Sequence, residues 1–251
     1  MSSRYTRSDV VRWKEADESR IQLKLAQLHD SSFHGRRDFV LSGLHLLHEG
    51  LGFTYVALEE PEIARNHFLA SCQYVEQLFS LRERGEPISP GRLTAGYCKS
   101  WLVALAIGEN ATASSLASKF KREDLPAGKR RSEIEQIALL LKSLIGCSED
   151  FHDEELGPPS SARSNDFKYY LECLDGIAER DEERFLHALE RAADNWLIQI
   201  VRTHRGLPQS VCFIHGLGLL RLAEQVIGKP IEVSNVLIPS SFFPSSRNQA
   251  A

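Results

Sequence analysis

The segment from Asn165 to Gly228 constrains the fold of this chain more than any other part of the sequence. Its last portion, residues 213–228, carries apolar residues around a broad helix face: Leu217, Leu219, Leu220, Leu222, Ala223, Val226 and Ile227. A face this broad is typical of a helix buried inside a helical core, because a surface helix needs only a narrower apolar stripe. We therefore expect three consecutive helices in this segment and an all-α protein.

Apolar residues with a helical period recur along the rest of the chain. They predict nine helices, over residues 10–28, 36–58, 61–82, 93–107, a short stretch ending near 120, 133–145, 165–179, 182–202 and 213–228. Ser8 or Asp9 is predicted to cap the first helix, Pro61 to begin the third, and Ser132 with Glu135 to form a capping box. Val11, Leu23, Phe39 and Ile63 are among the predicted core residues.

Length and composition favour one helical domain over residues 1–251, with a sub-boundary conceivable in the loop 147–164. The tail from Lys229 to Pro239 reads as extended, and residues 245–251 are expected to be disordered. A net charge of -4 does not indicate nucleic-acid binding and is compatible with a protein partner. Residues 1–9 are polar and contain no apolar region of the kind found in signal peptides, so no signal peptide is expected. No apolar run is long enough for a membrane span, and a cytoplasmic protein is expected.

The five cysteines are odd in number and widely scattered, and four of them lie in helical apolar patterns: Cys72, Cys98, Cys147, Cys173 and Cys212. The odd number and the scattered positions of the cysteines favour buried, reduced thiols over disulfides.

Three helix–turn–helix segments resemble one another. They lie at residues 57–68, 106–117 and 178–189, and each has a small residue ending one helix, an acidic or amide turn, and a second helix. Arrays of the tetratricopeptide kind join their helices in this way, so antiparallel hairpins packed as an irregular TPR-like array or bundle are expected. The alternative is that any antiparallel helix pair requires such a corner.

Catalytic patterns are weak in this sequence. His45 and His48, with Glu49 beside them, could place two imidazoles on one helix face, but their spacing is not that of helical zinc proteases. Gly216 and Gly218 follow no predicted strand, so they are interpreted as allowing close helix packing rather than holding a phosphate. We expect no enzyme, no metal and no cofactor.

Acidic residues form the most informative polar feature. Five carboxylates and one aromatic residue lie in the loop 148–156: Glu149, Asp150, Phe151, Asp153, Glu154 and Glu155. Two further acidic groups lie at the helix corners: Glu59, Glu60 and Glu62, and Asp181, Glu182 and Glu183. These residues are predicted to bind a basic protein partner by charge complementarity and aromatic packing, the alternative being a solvated surface.

The C-terminal third is similar to the immunity protein 49 family of bacterial polymorphic-toxin systems. The similarity covers roughly residues 165–243, through the helix from Phe167, the segment 181–192, the motif Leu217-Gly-Leu-Leu-Arg-Leu-Ala223, then Pro230-Ile-Glu-Val and Val236-Leu-Ile-Pro239. The resemblance implies a cytosolic, mostly helical protein that binds and neutralises a toxin encoded beside it. It supplies no functional residue that could be carried over to this chain.

These observations lead to two functional hypotheses. The first, which the resemblance implies, is an immunity protein that neutralises a cognate toxin such as a secreted effector. It would act by stoichiometric binding, without nucleic acid or membrane. The second is a helical-repeat scaffold or regulator that binds a protein other than a toxin. The broad apolar faces also leave room for a homodimer.

Overall fold

A computed structural model describes residues 5–30, 36–89, 93–121, 124, 133–147, 165–200, 202 and 206–243. These residues form helices and connecting segments without a strand, which confirms the predicted all-α class. The helices are α1 (Arg7–His29), α2 (Arg37–Ala57), α3 (Pro61–Glu83), α4 (Cys98–Ala106), α5 (Asn110–Lys119), α6 (Glu133–Leu144), α7 (Asn165–Ala178), α8 (Glu182–Gln199) and α9 (Ile214–Ile227). Short 3₁₀ turns occur at Ala95–Tyr97 and Pro208–Ser210.

The helices pack as hairpins around a central pair. The hairpins are α2 with α3, α4 with α5, and α7 with α8, while α1 packs on α2 and α6 packs on α7. Helix α9 packs along α4, and most residues of both helices are buried. One continuous apolar cluster extends from Ile21 in α1 to Phe243 after α9. The array of hairpins is therefore held together through the α4–α9 contact.

Gly218 allows α4 and α9 to approach backbone to backbone. A Cβ atom at this position would lie 2.1 Å from the carbonyl oxygen of Leu102 and 2.7 Å from its carbonyl carbon. At Gly216 the nearest atoms belong instead to the ring of Phe213, at 2.4 Å. The close contact of Gly218 confirms the interpretation that this glycine serves helix packing.

Several local predictions about α1 and its neighbours are wrong. Thr6 caps α1, with Asp9 completing the capping box, in place of Ser8 or Asp9 as the cap. The buried residues of α1 are Val10, Trp13 and Ile21. The predicted core residues Val11, Leu23, Phe39 and Ile63 are exposed, at 46%, 62%, 51% and 39%. Val11 follows Val10 by one residue, which rotates it about 100° away from the face that meets α2.

The helix predicted from residue 93 begins later, at Cys98. Thr94 accepts a hydrogen bond from the Gly96 N–H through its hydroxyl, at 3.3 Å, and a 3₁₀ turn precedes the α-helix. Local bonds of this kind from a threonine compete with regular helix formation. The apolar pattern alone did not reveal this competing cap.

The chain after α9 folds back on the core, and only its first part fits the predicted extended tail. Gly228 ends α9 in the left-handed conformation, with φ of 88°. Residues 230–235 are without regular structure, and turns follow from Val236 onward. The Phe213 N–H donates to the Leu237 carbonyl at 2.7 Å, and Arg221 donates to the Phe243 carbonyl at 2.6 Å. These bonds attach the tail to α9. The predicted Ser132 cap and the 245–251 tail lie outside the described residues.

All five cysteines are free thiols, as predicted. Cys147 is partly exposed and the other four are buried. Burial raises the pKa of the Cys98 thiol to about 12, so it stays protonated at neutral pH. Within the described ranges, none of the helices combines the length and the apolarity that crossing a bilayer requires.

Candidate functional site

Three corners of the helical array share one backbone geometry. After α2, the Glu59 N–H donates to the Val56 carbonyl at 3.1 Å and the Glu60 N–H donates to the Tyr55 carbonyl at 3.0 Å. This pair of bonds is the Schellman motif that ends many helices. The matching pairs run from Gly108 to Leu105 and Glu109 to Ala104 after α4, and from Arg180 to Ile177 and Asp181 to Gly176 after α7.

The next helix begins immediately after each motif. Glu60, Glu109 and Asp181 occupy the last position of one corner and accept the first helical hydrogen bond of α3, α5 and α8, at 3.0 Å in each case. The three similar segments of the sequence are therefore structurally equivalent corners. Their spacing along the chain is irregular, because α6 lies between the second and the third.

In each corner, one residue adopts the left-handed backbone conformation with positive φ. This residue is a glycine in one corner and a charged residue in the other two. Gly108 has φ of 81°, while Glu59 and Arg180 have φ of 60° and 56°. Within the described chain, Glu59 and Arg180 are the non-glycine residues with positive φ. This conformation costs a side chain about 1 kcal/mol or more relative to glycine. Strain of this kind is often retained at functional surfaces.

Replacing Glu59 by glycine is expected to stabilise the protein by up to about 1 kcal/mol, because glycine adopts this conformation without a Cβ penalty. The free energy of unfolding from urea denaturation measures this effect. The matched control is Glu62→Gly, which removes the same charge from the first turn of α3 and should destabilise by up to about 1 kcal/mol. Equal changes in both variants would show that loss of charge, rather than backbone conformation, governs the result.

Contacts between helices place the three corners along one edge of the molecule. Arg65 in α3 donates to the Ile107 carbonyl at 3.1 Å and to Glu109 at 2.7 Å, which joins the first corner to the second. The end of α9 joins the second corner to the third. There, Gln225 donates to Asn110 at 2.9 Å and Lys229 forms an ion pair with Glu182. We call residues 57–62, 106–110 and 178–183 the corner edge.

The carboxylates of the corner edge differ in their partners. Glu182 pairs with Lys229, and Asp181 accepts the Arg184 N–H at 3.0 Å as the cap of α8. Glu60 lies within electrostatic reach of Lys14. Glu109 forms an ion pair with Arg65, and Glu179 forms one with Arg184. The remaining three carboxylates are exposed and form no ion pair with any described residue: Glu59, Glu62 and Glu183. These three carboxylates are the ones best placed to meet a basic partner.

The acidic loop lies outside the described residues. This applies to Glu149, Asp150, Phe151, Asp153, Glu154 and Glu155, so their relation to the corner edge stays a prediction.

The two histidines considered as metal ligands have separate partners. The Nδ1 atom of His45 lies 2.8 Å from the Ser71 hydroxyl, and the Nδ1 atom of His48 lies 3.0 Å from Nδ1 of His67. Burial lowers the pKa of His48 to about 4, with a further lowering contribution from neighbouring His67. The described residues contain no group of three or more histidine, cysteine or acidic side chains arranged to hold a metal ion.

Sequence reasoning missed a cavity of about 460 Å³ that His45 lines together with residues from four other parts of the chain. Helix α2 supplies His45, Leu46 and Glu49, and the segment before and within α4 supplies Thr94, Gly96, Tyr97, Lys99 and Ser100. Trp196 comes from α8, Gln209 from the turn before α9, and His215 from α9. The sequence held no signal for this group, because the lining residues come from five separate parts of the chain that only the tertiary packing brings together.

Comparisons of this chain with protein-family models, with curated proteins and with solved structures found no match. What the protein does is therefore inferred from its own residues and their geometry.

Proposed function

We propose that this chain is an immunity protein that binds a bacterial toxin and neutralises it by direct, stoichiometric contact. The observation that carries the binding part of this proposal is the corner edge, where three equivalent turns lie on one side of a helical array and the first and third turns present exposed carboxylates. The toxin part rests on the resemblance of residues 165–243 to the immunity protein 49 family.

The fold supports a role in protein binding. Arrays of helical hairpins present extended surfaces on a rigid core, and here the core is continuous from α1 to the C-terminal tail. Rigid scaffolds lose little conformational entropy on binding, which favours tight complexes. An immunity protein requires such tight binding, because free toxin must stay negligible.

Charge on the corner edge supports a basic partner surface. Exposed carboxylates without ion-pair partners attract opposite charge during encounter and raise the association rate constant. Glu59, Glu62 and Glu183 are the described carboxylates that fit this role, while Glu182 and Asp181 stabilise the edge itself. The proposed toxin therefore presents lysine or arginine residues to this edge.

The proposal is tested by co-expression with the product of the neighbouring gene. Protection of the cells, together with a complex of fixed stoichiometry by size-exclusion chromatography and light scattering, is the expected result. A complex without protection would favour a scaffold or regulatory role. If co-expression gave no protection and no complex, the proposal would be excluded.

Reversing the three free carboxylates of the corner edge is expected to slow association with the partner. In the variant Glu59→Lys, Glu62→Lys, Glu183→Lys, we expect the association rate constant to fall by about tenfold or more at low salt, because electrostatic steering changes sign. Stopped-flow mixing at several salt concentrations measures it. The difference from the natural protein should shrink as salt screens the charges.

The matched control reverses three exposed carboxylates that line a different groove, Glu190, Asp194 and Glu232. This variant has the same net charge as the first but an unaltered corner edge. If the control slowed association as strongly, net charge rather than the corner edge would be responsible. If only the control did so, the binding surface would lie at that groove.

A further inference from the structure

The cavity lined by His45 and His215 contains polar groups that the fold does not satisfy. His215 is 7% exposed, and its Nδ1 atom lies 3.2 Å from the hydroxyl of Tyr170, a residue outside the cavity lining. Its other nitrogen, Nε2, is buried and has no hydrogen-bond partner among the described residues, and the same is true of the Gln209 Oε1 atom. Buried polar atoms without partners are costly, so a ligand that satisfies them gains affinity.

The two histidines are held in a similar way. A buried hydroxyl contacts Nδ1 in each case, from Ser71 for His45 and from Tyr170 for His215. These contacts fix the orientation of each ring. Burial lowers the pKa of His215 to about 3, with a further lowering contribution from the ammonium group of Lys99, and burial also lowers the pKa of His45. Both rings are therefore neutral at physiological pH and offer directional hydrogen bonds rather than charge.

Opposite charges line different parts of the cavity. Glu49 lies one helical turn after His45 on α2 and acts electrostatically on that ring, whereas Lys99 on α4 acts on His215. Both charged side chains are half-buried. The formal charge of the lining is therefore zero, with a cation on the His215 side and an anion on the His45 side. Leu46 and Trp196 add apolar wall.

We propose that this cavity is a binding site for a small amino carboxylate, a zwitterion of the size of a single amino acid. The ligand carboxylate is bound by Lys99 and by Nε2 of His215, and the ligand ammonium group is bound by Glu49 and the Gln209 carbonyl. In this complex Tyr170 donates its proton to Nδ1 of His215, so that Nε2 carries the ring proton and donates. The volume of the cavity lies within the range of small-molecule sites.

Other ligand classes fit the lining less well. A simple anion would leave Glu49 unpaired and repelled, and a simple cation would do the same to Lys99. A metal ion lacks a suitable group of ligands among the described residues. The site is independent of the proposed toxin binding, because it uses none of the corner-edge residues.

The test uses the purified full-length protein and the proteinogenic L-amino acids as probes, with isothermal titration calorimetry and thermal denaturation as readouts. We expect at least one amino acid to bind once per chain and to raise the melting temperature. Its deaminated acid and its decarboxylated amine should each bind about tenfold more weakly or worse. Absence of binding at millimolar concentrations would overturn the proposal, as would equal binding of either analogue.

Two substitutions locate the site. Glu49→Gln and Lys99→Met each remove one charge while keeping most of the side-chain volume, and each should weaken binding about tenfold or more. Glu83→Gln and Lys119→Met are the matched controls, since that pair forms an ion pair at 3.0 Å outside the lining. Circular dichroism of all four variants checks that the helical fold is kept. Binding that survives both cavity substitutions would place the ligand elsewhere and contradict the assignment.

Discussion

Substitution of Gly218 by alanine is expected to be among the most destabilising single changes in this protein. The added Cβ would lie 2.1 Å from the Leu102 carbonyl oxygen, and a backbone group buried in the centre of a helix cannot rotate away as a side chain can. Helices α4 and α9 would have to separate, which opens the centre of the core. We expect a loss of about 3 kcal/mol or more in the free energy of unfolding, above the usual effect of a point mutation.

Urea denaturation followed by circular dichroism measures this loss, and two other glycines serve as controls. At Gly216→Ala the nearest atoms belong to the side chain of Phe213 rather than to the backbone of another helix, so a smaller loss is expected. Gly228→Ala has open space around the new methyl group but a φ of 88°, so it should cost about 1 kcal/mol from backbone strain alone. A Gly218→Ala protein no less stable than Gly228→Ala would contradict the close-packing role.

As the pH is lowered, the protein is expected to lose stability at pH values well above those at which carboxylates titrate. The pKa of His48 is lowered to about 4 and that of His215 to about 3, mainly by burial. In the unfolded chain both imidazoles take up protons near their ordinary pKa of 6.5. The unfolded state therefore binds more protons below that pH, and stability falls as pH falls. Between pH 7 and pH 5 the loss should reach roughly 2 kcal/mol for His215 and less for His48, whose partial exposure lets solvent screen it.

Urea denaturation at closely spaced pH values checks this dependence. His48→Phe keeps a ring against Tyr74 and His67 but removes the titrating group, so the fall in stability toward acid should become shallower. The control is His187→Gln, which removes an imidazole that is exposed in the folded protein. If His48→Phe left the pH dependence of stability unchanged, buried His48 would not be its cause. The same conclusion would follow if His187→Gln made the dependence shallower to an equal extent.

Periodicity predicted the helices correctly but not every residue that each helix buries. All nine predicted helices occur within the described ranges, and the boundaries of α2 and α3 agree with prediction within one residue. The predicted burial of Phe39 and Ile63 is wrong, because each helix turns only part of its apolar surface toward a neighbour. Which part faces inward depends on the crossing geometry of two helices, and this is a property of the pair rather than of either sequence segment.

The three corners could be recognised in the sequence, but their common edge could not. Alanine ends α2, α4 and α7, and an acidic residue precedes α3, α5 and α8, so the local pattern was visible. Their adjacency depends on Arg65 reaching Glu109 and on Lys229 reaching Glu182. These contacts join residues far apart in the chain, and no short-range pattern encodes them.

The toxin partner inferred from residues 165–243 stays a proposal. What the structure adds for this segment is the position of two of its residues. Within this segment, Gly218 is the point where α9 meets α4, and His215 one turn before it lines the cavity. The same helix therefore supports the core and contributes to the proposed ligand site.

The sequence by itself determined the helical class, the order of the helices, the repeated corners and the reduced state of the thiols. Each of these follows from interactions within a few residues or from composition, so a single chain segment is sufficient to show it. Only the tertiary structure decided which carboxylates remain unpaired on the corner edge and which residues enclose the cavity. Both depend on long-range packing. His45 and His215, for example, line the same cavity although 169 other residues separate them in the sequence.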